Sequence, residues 1–154
     1  MRSTHGHKPL KILLVEDNAD HAALVERSLE RADGSVQLVT VSDGEEAMSY
    51  LLRRRPWADP ERSPRPHLIL LDLRLPRLDG FAVLKAVKES PELRGIPVVV
   101  LTTSEADPDI AKAYALHVNS YIVKPADFQQ FVTLIADVRR YWLERNRAGP
   151  GPAD

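Results

Sequence analysis

The chain of 154 residues lacks cysteine altogether. This excludes disulfides, thiolate metal sites and cysteine catalysis, and it fits a reducing compartment. No apolar run approaches the roughly 20 residues of a bilayer-spanning helix, and residues 1–7 contain no apolar signal core. An excess of one charge is also missing, because 21 basic and 22 acidic side chains leave a net charge of −1. We therefore expect a cytoplasmic protein without membrane or nucleic-acid contacts.

Short apolar runs alternate along the chain with segments of helical period, a pattern typical of a parallel α/β sheet. It predicts five strands and five helices in alternation. Such doubly wound chains usually adopt the strand order 2-1-3-4-5, the flavodoxin-like arrangement, and bind ligands at the carboxyl ends of strands 1 and 3. The predicted strands are 10–15, 36–41, 68–71, 96–101 and 121–123.

The length suits a single domain. We expect a flexible N-terminus at 1–9, the folded domain at 10–144 and a disordered tail at 145–154. Residues 56–66 contain four prolines and predict a long irregular insertion loop. Solvent or a protein partner explains the arginines near this loop better than nucleic acid does, since the total charge is almost neutral. These arginines are Arg53, Arg54, Arg55, Arg62 and Arg65.

Four of the predicted strands end at side chains that can take part in chemistry: Glu16 and Asp17, then Asp72, Thr102 and Lys124. If the strands are parallel, all four ends lie on one edge of one sheet. Three neighbouring carboxylates repel one another unless a cation is present. Oxygen ligands without histidine or cysteine suit a hard ion such as Mg²⁺. The pattern therefore predicts a site at this edge.

The same side chains suit phosphoryl transfer. Mg²⁺ neutralises phosphoryl oxygens, Lys124 offers a point charge, and Thr102 offers a neutral donor. A carboxylate such as Asp72 can be the nucleophile that forms an acyl phosphate. The alternative is that the acids only cap the following helices, which would suffice for Asp17 alone, and that Lys124 is solvated. Four such groups at four strand ends favour one common site.

Several motifs surround these residues: Val15-Glu16-Asp17-Asn18, Leu70-Leu71-Asp72-Leu73, Leu75-Pro76, Asp79-Gly80, Leu101-Thr102 and Tyr121-Ile122-Val123-Lys124-Pro125. With them, residues 11–143 resemble the receiver domains of two-component response regulators, which share the architecture of the chemotaxis response regulator. The interval of 30 residues from Asp72 to Thr102 and that of 52 from Asp72 to Lys124 also fit this family. The resemblance thus covers nearly the whole chain.

By this resemblance, Asp72 is the phosphoacceptor and receives a phosphoryl group from a histidine kinase. Thr102 would hydrogen-bond that group and move toward it, and Lys124 would pair with it next to a cis Lys124–Pro125 peptide. Tyr121 would be the switch aromatic that turns inward, although a tyrosine also suits an amphipathic surface position. The implied Mg²⁺ ligands are Glu16, Asp17, Asp72 and the main-chain carbonyl of Arg74.

Some positions depart from the common receiver pattern. Thr103 stands where Ala or Gly is usual, so access of water to the phosphoryl group is expected to differ. Arg74 and Ser104 occupy positions that tune dephosphorylation in a direction the sequence does not give. His117 stands where a helix-ending glycine is usual, so we expect a different turn before the last strand.

Three features resemble regulators associated with bacterial phytochromes: the proline-rich loop, the segment 116–119 and the aromatic end 141–143. This subgroup implies a red-light-sensing histidine kinase as the partner. Leu134, Tyr141 and Leu143 fall off the inward stripe of the last helix. They favour a homodimer through the fourth helix, fifth strand and fifth helix, with scattered surface apolars as the alternative.

The leading interpretation is a stand-alone switch that catalyses only its own Mg²⁺-dependent phosphorylation and dephosphorylation and is not a metabolic enzyme. Because the chain ends just past the last helix, its output would pass to another protein or to a histidine phosphotransfer protein. The alternative is a phosphorylation-independent interaction module of the same fold. An aspartyl-phosphate hydrolase is disfavoured because Arg74 stands where such enzymes carry a second acid. A transcription factor is disfavoured because no helix-turn-helix segment is present.

Overall fold

The computed structural model describes residues 9–30, 34–147 and 149. Within them the chain forms a five-stranded sheet in the order β2-β1-β3-β4-β5, with five α-helices between and after the strands. All neighbouring strands are parallel, which confirms the predicted fold class. Residues 1–8 of the expected flexible N-terminus and most of the expected tail lie outside the described residues.

The elements fall close to their predicted positions. The strands are β1 Leu10–Val15, β2 Val36–Val41, β3 Leu68–Leu71, β4 Val98–Thr102 and β5 Ser120–Val123. The helices are α1 Ala19–Leu29, α2 Gly44–Leu51, α3 Gly80–Glu89, α4 Asp107–Ala115 and α5 Phe128–Arg140. One turn of π-helix, Tyr141–Arg145, continues α5. Within the ranges described, no helix is long and apolar enough to span a bilayer.

The sheet is covered on both faces, because successive strand side chains point to opposite sides. One face packs against α2, α3 and α4, and the other against α1 and α5. The first core receives Leu13, Val15, Ile69, Leu71, Val98 and Val100. The second receives their neighbours Ile12, Leu14, Leu68, Leu70, Val99 and Leu101. The continuous apolar runs in the sequence follow from this two-sided burial.

Four of the helix N-termini are capped by side chains, and none of these caps is a candidate site acid. The caps that accept a hydrogen bond from the first helical turn are Asn18 for α1, Asp43 for α2, Asp79 for α3 and Asp127 for α5. Helix α4 has no side-chain cap and carries a proline in its first turn. Capping therefore does not explain the acids at the ends of β1 and β3.

The loop 56–66 is irregular, as predicted, but it is anchored to the domain rather than merely solvated. Ser63 is buried, and the Tyr50 hydroxyl donates to the Pro64 carbonyl at 2.7 Å. The Arg53 guanidinium donates to the Ser63 carbonyl at 3.2 and 3.3 Å. Arg65 donates to a backbone carbonyl at the end of α2. Two of the arginines therefore bind backbone carbonyls that join the loop to α2, Arg53 at the Ser63 carbonyl of the loop and Arg65 at the Leu51 carbonyl of the helix, which the sequence did not reveal.

The turn after α4 keeps the backbone conformation that a glycine would adopt. His117 has a φ of 70°, in the left-handed region that favours glycine. The expectation that histidine would change this turn is therefore wrong: the turn is kept, and the histidine adopts the less favourable conformation.

A substitution at Gly44 tests the close contact between α2 and the loop after β3. A Cβ at this position would lie 1.8 Å from the Leu78 carbonyl oxygen, a backbone atom. We expect Gly44→Ala to lower the free energy of unfolding by roughly 1–3 kcal/mol, as overpacking does. Gly95→Ala is the control because its Cβ would meet no atom within 4 Å. Urea unfolding measures both, and equal midpoints would contradict the packing described.

Candidate functional site

The candidate side chains meet at the carboxyl edge of the sheet. Glu16 follows β1, Asp72 follows β3, Thr102 ends β4 and Lys124 follows β5. Backbone hydrogen bonds fix these positions, because the Asp72 N–H donates to the Val15 carbonyl at 3.0 Å and the Lys124 N–H to Thr102 at 2.7 Å. The strand order places these four ends side by side. The structure thus brings together the groups that the sequence singled out.

Lys124 lies at the centre of this edge and is not a solvated surface lysine. Its Nζ lies 2.5 Å from Glu16 Oε1 and 3.0 Å from Asp72 Oδ2. The side chains of Lys124 and Glu16 are each 1% exposed, and that of Asp72 is 9% exposed. A buried ammonium is strongly destabilising unless it is paired and hydrogen-bonded. The two carboxylates supply that pairing.

Three carboxylates form a cluster that can hold a divalent cation. One oxygen each of Glu16, Asp17 and Asp72 lies within 4.8 Å of the others. One buried ammonium leaves this cluster with excess negative charge, and all its ligand atoms are oxygens, which suits a hard ion. Asp17 is exposed and caps no helix, so it offers an ion a route from solvent. The predicted ligand role of the Arg74 carbonyl stays a prediction, while its N–H donates to Asp72 at 3.2 Å.

The pKa values of the two buried acids, Glu16 and Asp72, are shifted in opposite directions. Burial raises the pKa of Glu16 to about 7, and the hydrogen bond from Lys124 offsets this only in part. Burial acting alone would also raise the pKa of Asp72, but Lys124 and the Arg74 N–H hold that pKa below its ordinary value. Asp72 is therefore ionised near neutral pH, as a nucleophile must be. The ammonium stabilises its charge.

Thr102 and Tyr121 connect this edge to the loop after β4. Thr102 is fully buried, and its hydroxyl hydrogen-bonds Asp72 and so lowers the pKa of that carboxyl. The half-buried Tyr121 ring packs against the first core, and its hydroxyl donates to the Ser104 carbonyl at 2.8 Å. Tyr121 is thus no ordinary surface tyrosine, and its switch role stays a prediction.

A network around Asp109 was absent from the sequence analysis. Arg74 Nη2 lies 2.9 Å from Asp109 Oδ2, and the Ser104 hydroxyl donates to the same oxygen at 2.5 Å. Arg74 and Ser104 were noted for their positions, but their shared partner in α4 was not. The available signal was only an acid in the first turn of a helix, which the helix dipole also explains.

His21 is the second residue that sequence reasoning missed. Its Nδ1 lies 2.9 Å from Lys124 Nζ, and its ring is tilted against Phe131 with centroids 5.7 Å apart. It belongs to the first turn of α1, only four residues after Asp17. A helix that begins directly after a site-bearing strand can direct its first turn toward the site, and this was the available clue.

One backbone expectation is wrong. The Lys124–Pro125 peptide is not cis, and the one cis peptide among the described residues joins Arg55 to Pro56. The two isomers of a peptide before proline differ by only about 0.5–1 kcal/mol. The residue pair therefore does not decide the isomer, and the surrounding structure does.

The fold and this arrangement of groups define a receiver domain, and comparison with known proteins agrees. The family model of the response regulator receiver domain matches residues 12–136. The chain belongs to that family, which confirms the resemblance inferred from its motifs.

Two curated relatives match almost end to end. The chain is 47% identical over 145 residues to the probable methanogenesis regulatory protein FilR2 of Methanothrix harundinacea, covering 94% of this chain and 90% of that protein. It is 40% identical over 142 residues to response regulator Rcp1 of Synechocystis sp., covering 92% of this chain and 95% of Rcp1.

Solved structures agree with these relatives. The Mn²⁺-bound form of Rcp1 matches with a TM-score of 0.85 and 39% identity, over 92% of this chain and 100% of that one. The phosphorylated cyanobacterial phytochrome response regulator RcpA matches with a TM-score of 0.87 and 42% identity, over 92% and 99%. The chain is therefore a receiver domain related to the phytochrome-associated response regulators.

The raised pKa of Glu16 predicts that divalent cations bind more tightly as the pH rises from about 6 to about 8. In the cation-free protein this pKa is about 7, so at the lower pH Glu16 carries a proton that a cation must displace. Asp72 stays ionised across this range because its pKa is lowered.

Titration with Mn²⁺, followed by the electron paramagnetic resonance of the free ion, measures this affinity. Calorimetry of Mn²⁺ binding in two buffers of different ionisation enthalpy measures the protons released on binding. It should show about one proton per Mn²⁺ at about pH 6 and almost none at about pH 8.5. Glu16→Gln is the control: it should bind more weakly overall and lose most of the pH dependence. An affinity that is constant or falls with rising pH would contradict the assignment.

Proposed function

We propose that this protein is a phosphorylation switch in which Asp72 accepts a phosphoryl group from a sensor histidine kinase. One observation carries the proposal: an ionised, almost buried Asp72 lies 3.0 Å from the Lys124 ammonium, and its carboxylate is within 4.8 Å of those of Glu16 and Asp17. We assign Mg²⁺ to this acid cluster. The Mn²⁺ form of Rcp1 and the phosphorylated form of RcpA support this interpretation by analogy.

The transfer exchanges one bond to phosphorus for another. A carboxylate oxygen of Asp72 attacks the phosphorus and forms an acyl phosphate, while the phosphorus–nitrogen bond to the kinase histidine breaks and the electron pair stays with that nitrogen. When bound, Mg²⁺ would neutralise charge on the phosphoryl oxygens. Lys124 supplies a second positive charge, and the Thr102 hydroxyl supplies a neutral donor.

Switching follows from contacts that only the phosphorylated state offers. Phosphorylation adds negative charge and acceptor oxygens at Asp72, and a two-state equilibrium shifts only through such differential contacts. Thr102 and Lys124 are side-chain donors beside Asp72, and Tyr121 is tied to the loop after β4 through its bond to Ser104. The surface formed by α4, β5 and α5 is therefore where we expect a partner to detect the change.

The partner kinase is, in this proposal, of the phytochrome type. Rcp1 and RcpA support this choice, since the latter is described as a phytochrome response regulator. FilR2, described as a probable methanogenesis regulator, makes a kinase with another stimulus the competing choice. The protein would act in the cytoplasm, would catalyse no reaction beyond that on its own Asp72, and would pass its signal to another protein or to a histidine phosphotransfer protein.

Replacing Asp72 by Asn should abolish phosphoryl transfer, because the amide is not a nucleophile for phosphorus. The measurement is radiolabel transfer from acetyl phosphate and from two kinases, one phytochrome-type and one unrelated, with hydroxylamine sensitivity marking an acyl phosphate. Asp59→Asn, at an exposed acid of the 56–66 loop, is the matched control and should be labelled like the wild type.

Labelling that survives in Asp72→Asn would overturn the assignment of the phosphoacceptor. A wild-type protein that takes no label from any donor would instead favour a phosphorylation-independent interaction module. Preferential transfer from the unrelated kinase would refute the phytochrome partner and leave the phosphoacceptor assignment intact.

We further propose a homodimer through the surface of α4, β5 and α5. Strand β5 is at one edge of the sheet, and a cavity of about 580 Å³ lies between it and α5. Tyr141 is 50% exposed at this cavity. Leu134 and Leu143 are half-buried against the second core, so the apolar patch is narrower than the sequence suggested.

Tyr141→Ser should weaken dimerisation by about tenfold or more, as loss of an aromatic anchor does. Sedimentation velocity with and without beryllofluoride, a phosphate mimic, measures the dimer fraction. Leu52→Ser is the control because Leu52 is 42% exposed but lies at the end of α2, outside the proposed surface. A wild-type protein that is monomeric in both conditions would refute the dimer.

A further inference from the structure

We propose that His21 is a positioning residue that holds the Lys124 ammonium in register with Asp72 by accepting its third hydrogen bond through a neutral Nδ1. The inference rests on the proposed function, because its consequence appears in phosphoryl transfer. Helix α1 would thereby contribute a side chain to the site, in addition to the residues at the strand ends that the sequence motifs indicated.

The geometry around Lys124 accounts for every proton that its ammonium carries. An ammonium has three N–H donors and no acceptor, and three acceptors surround Nζ here. Glu16 Oε1 lies at 2.5 Å, His21 Nδ1 at 2.9 Å and Asp72 Oδ2 at 3.0 Å. The Lys124 side chain is 1% exposed, so the protein itself supplies the acceptors for its ammonium. Each of the three contacts is therefore needed to satisfy the buried charge.

The contact between His21 and Lys124 requires the neutral imidazole. An ammonium can only donate, so Nδ1 must accept and the ring proton must be on Nε2. Burial, followed by the charge of Lys124, lowers the pKa of His21, which agrees with this tautomer. Contact with Phe131 holds the ring, at the wall of a cavity of about 610 Å³ that reaches Lys124.

Phosphorylation makes the third acceptor important. When the Asp72 carboxylate becomes an acyl phosphate, the acceptor that faced Lys124 is replaced by a phosphoryl oxygen. Glu16 and His21 then remain as two fixed acceptors, one after β1 and one on α1, and two such bonds define where the ammonium points. Without the His21 acceptor, Glu16 is the one remaining fixed acceptor, and the Lys124 ammonium can rotate about that single hydrogen bond. Loss of this orientation should slow the transfer.

The competing explanation is that His21 only fills space against Phe131. Three variants separate the explanations. His21→Phe keeps an aromatic ring but removes the acceptor. His21→Gln and His21→Met have similar length, and only glutamine offers an oxygen acceptor. A packing role predicts that methionine and glutamine behave alike, whereas a positioning role predicts that glutamine alone restores the rate.

The experiment measures the rate of phosphorylation of the full-length protein by acetyl phosphate with Mg²⁺ at several phosphodonor concentrations. We expect His21→Phe and His21→Met to lower the rate at saturating phosphodonor by about tenfold, which corresponds to about 1.4 kcal/mol. The half-saturating concentration should not change. His21→Gln should remain within about threefold of the wild type. Urea midpoints report the folding of each variant, and a misfolded His21→Phe leaves the methionine–glutamine pair to decide.

Rates for the phenylalanine or methionine variants equal to that of the wild type would overturn the inference, as would equal losses for methionine and glutamine. Failure of the proposed function gives results that differ from failure of the His21 role alone. In that case the wild type itself takes no label, or Asp72→Asn is still labelled, and both proposals fall together. A labelled wild type with an unaffected His21→Met removes only the role of His21.

Discussion

The structure depends most on the buried charge of Lys124. An ammonium that is 1% exposed must be paired, since removal of one partner from a buried ion pair costs about 3–5 kcal/mol. Its partners follow β1 and β3, and its own position follows β5, so this single charge ties three strands together at their carboxyl ends. The buried polar groups of the site thus help to specify how the sheet and α1 assemble, in addition to the chemistry proposed for them.

The fold was predictable because it follows from patterns that local sequence carries. Continuous apolar runs predicted strands buried on both sides, and the alternation with helical segments left one usual strand order. The site was predictable for the same reason, since parallel strands place their carboxyl ends together. Glu16, Asp72, Thr102 and Lys124 could be grouped before any contact was known, and Asn18 rather than Asp17 proved to be the helix cap.

The features that escaped prediction depend on side-chain direction across elements. His21 and Asp109 are on helices, and their reach toward Lys124 and Arg74 depends on how α1 and α4 pack on the sheet. The roles of Arg53 and Arg65 could not be predicted because their partners are backbone carbonyls, which no sequence pattern marks. Arg53, for example, binds the Ser63 carbonyl and so stabilises a loop whose prolines exclude regular hydrogen bonding.

The Arg74–Asp109 pair shows how a weak contact can serve the proposed switch. Arg74 is 69% exposed, and exposed ion pairs contribute only about 0–1 kcal/mol, so this pair adds little to stability and opens easily. Yet Asp109 also binds Ser104, whose carbonyl binds Tyr121. New negative charge at Asp72 would compete with Asp109 for the Arg74 guanidinium. A small change two residues from the phosphoacceptor would thereby reach α4 and β5 through contacts that are easily exchanged.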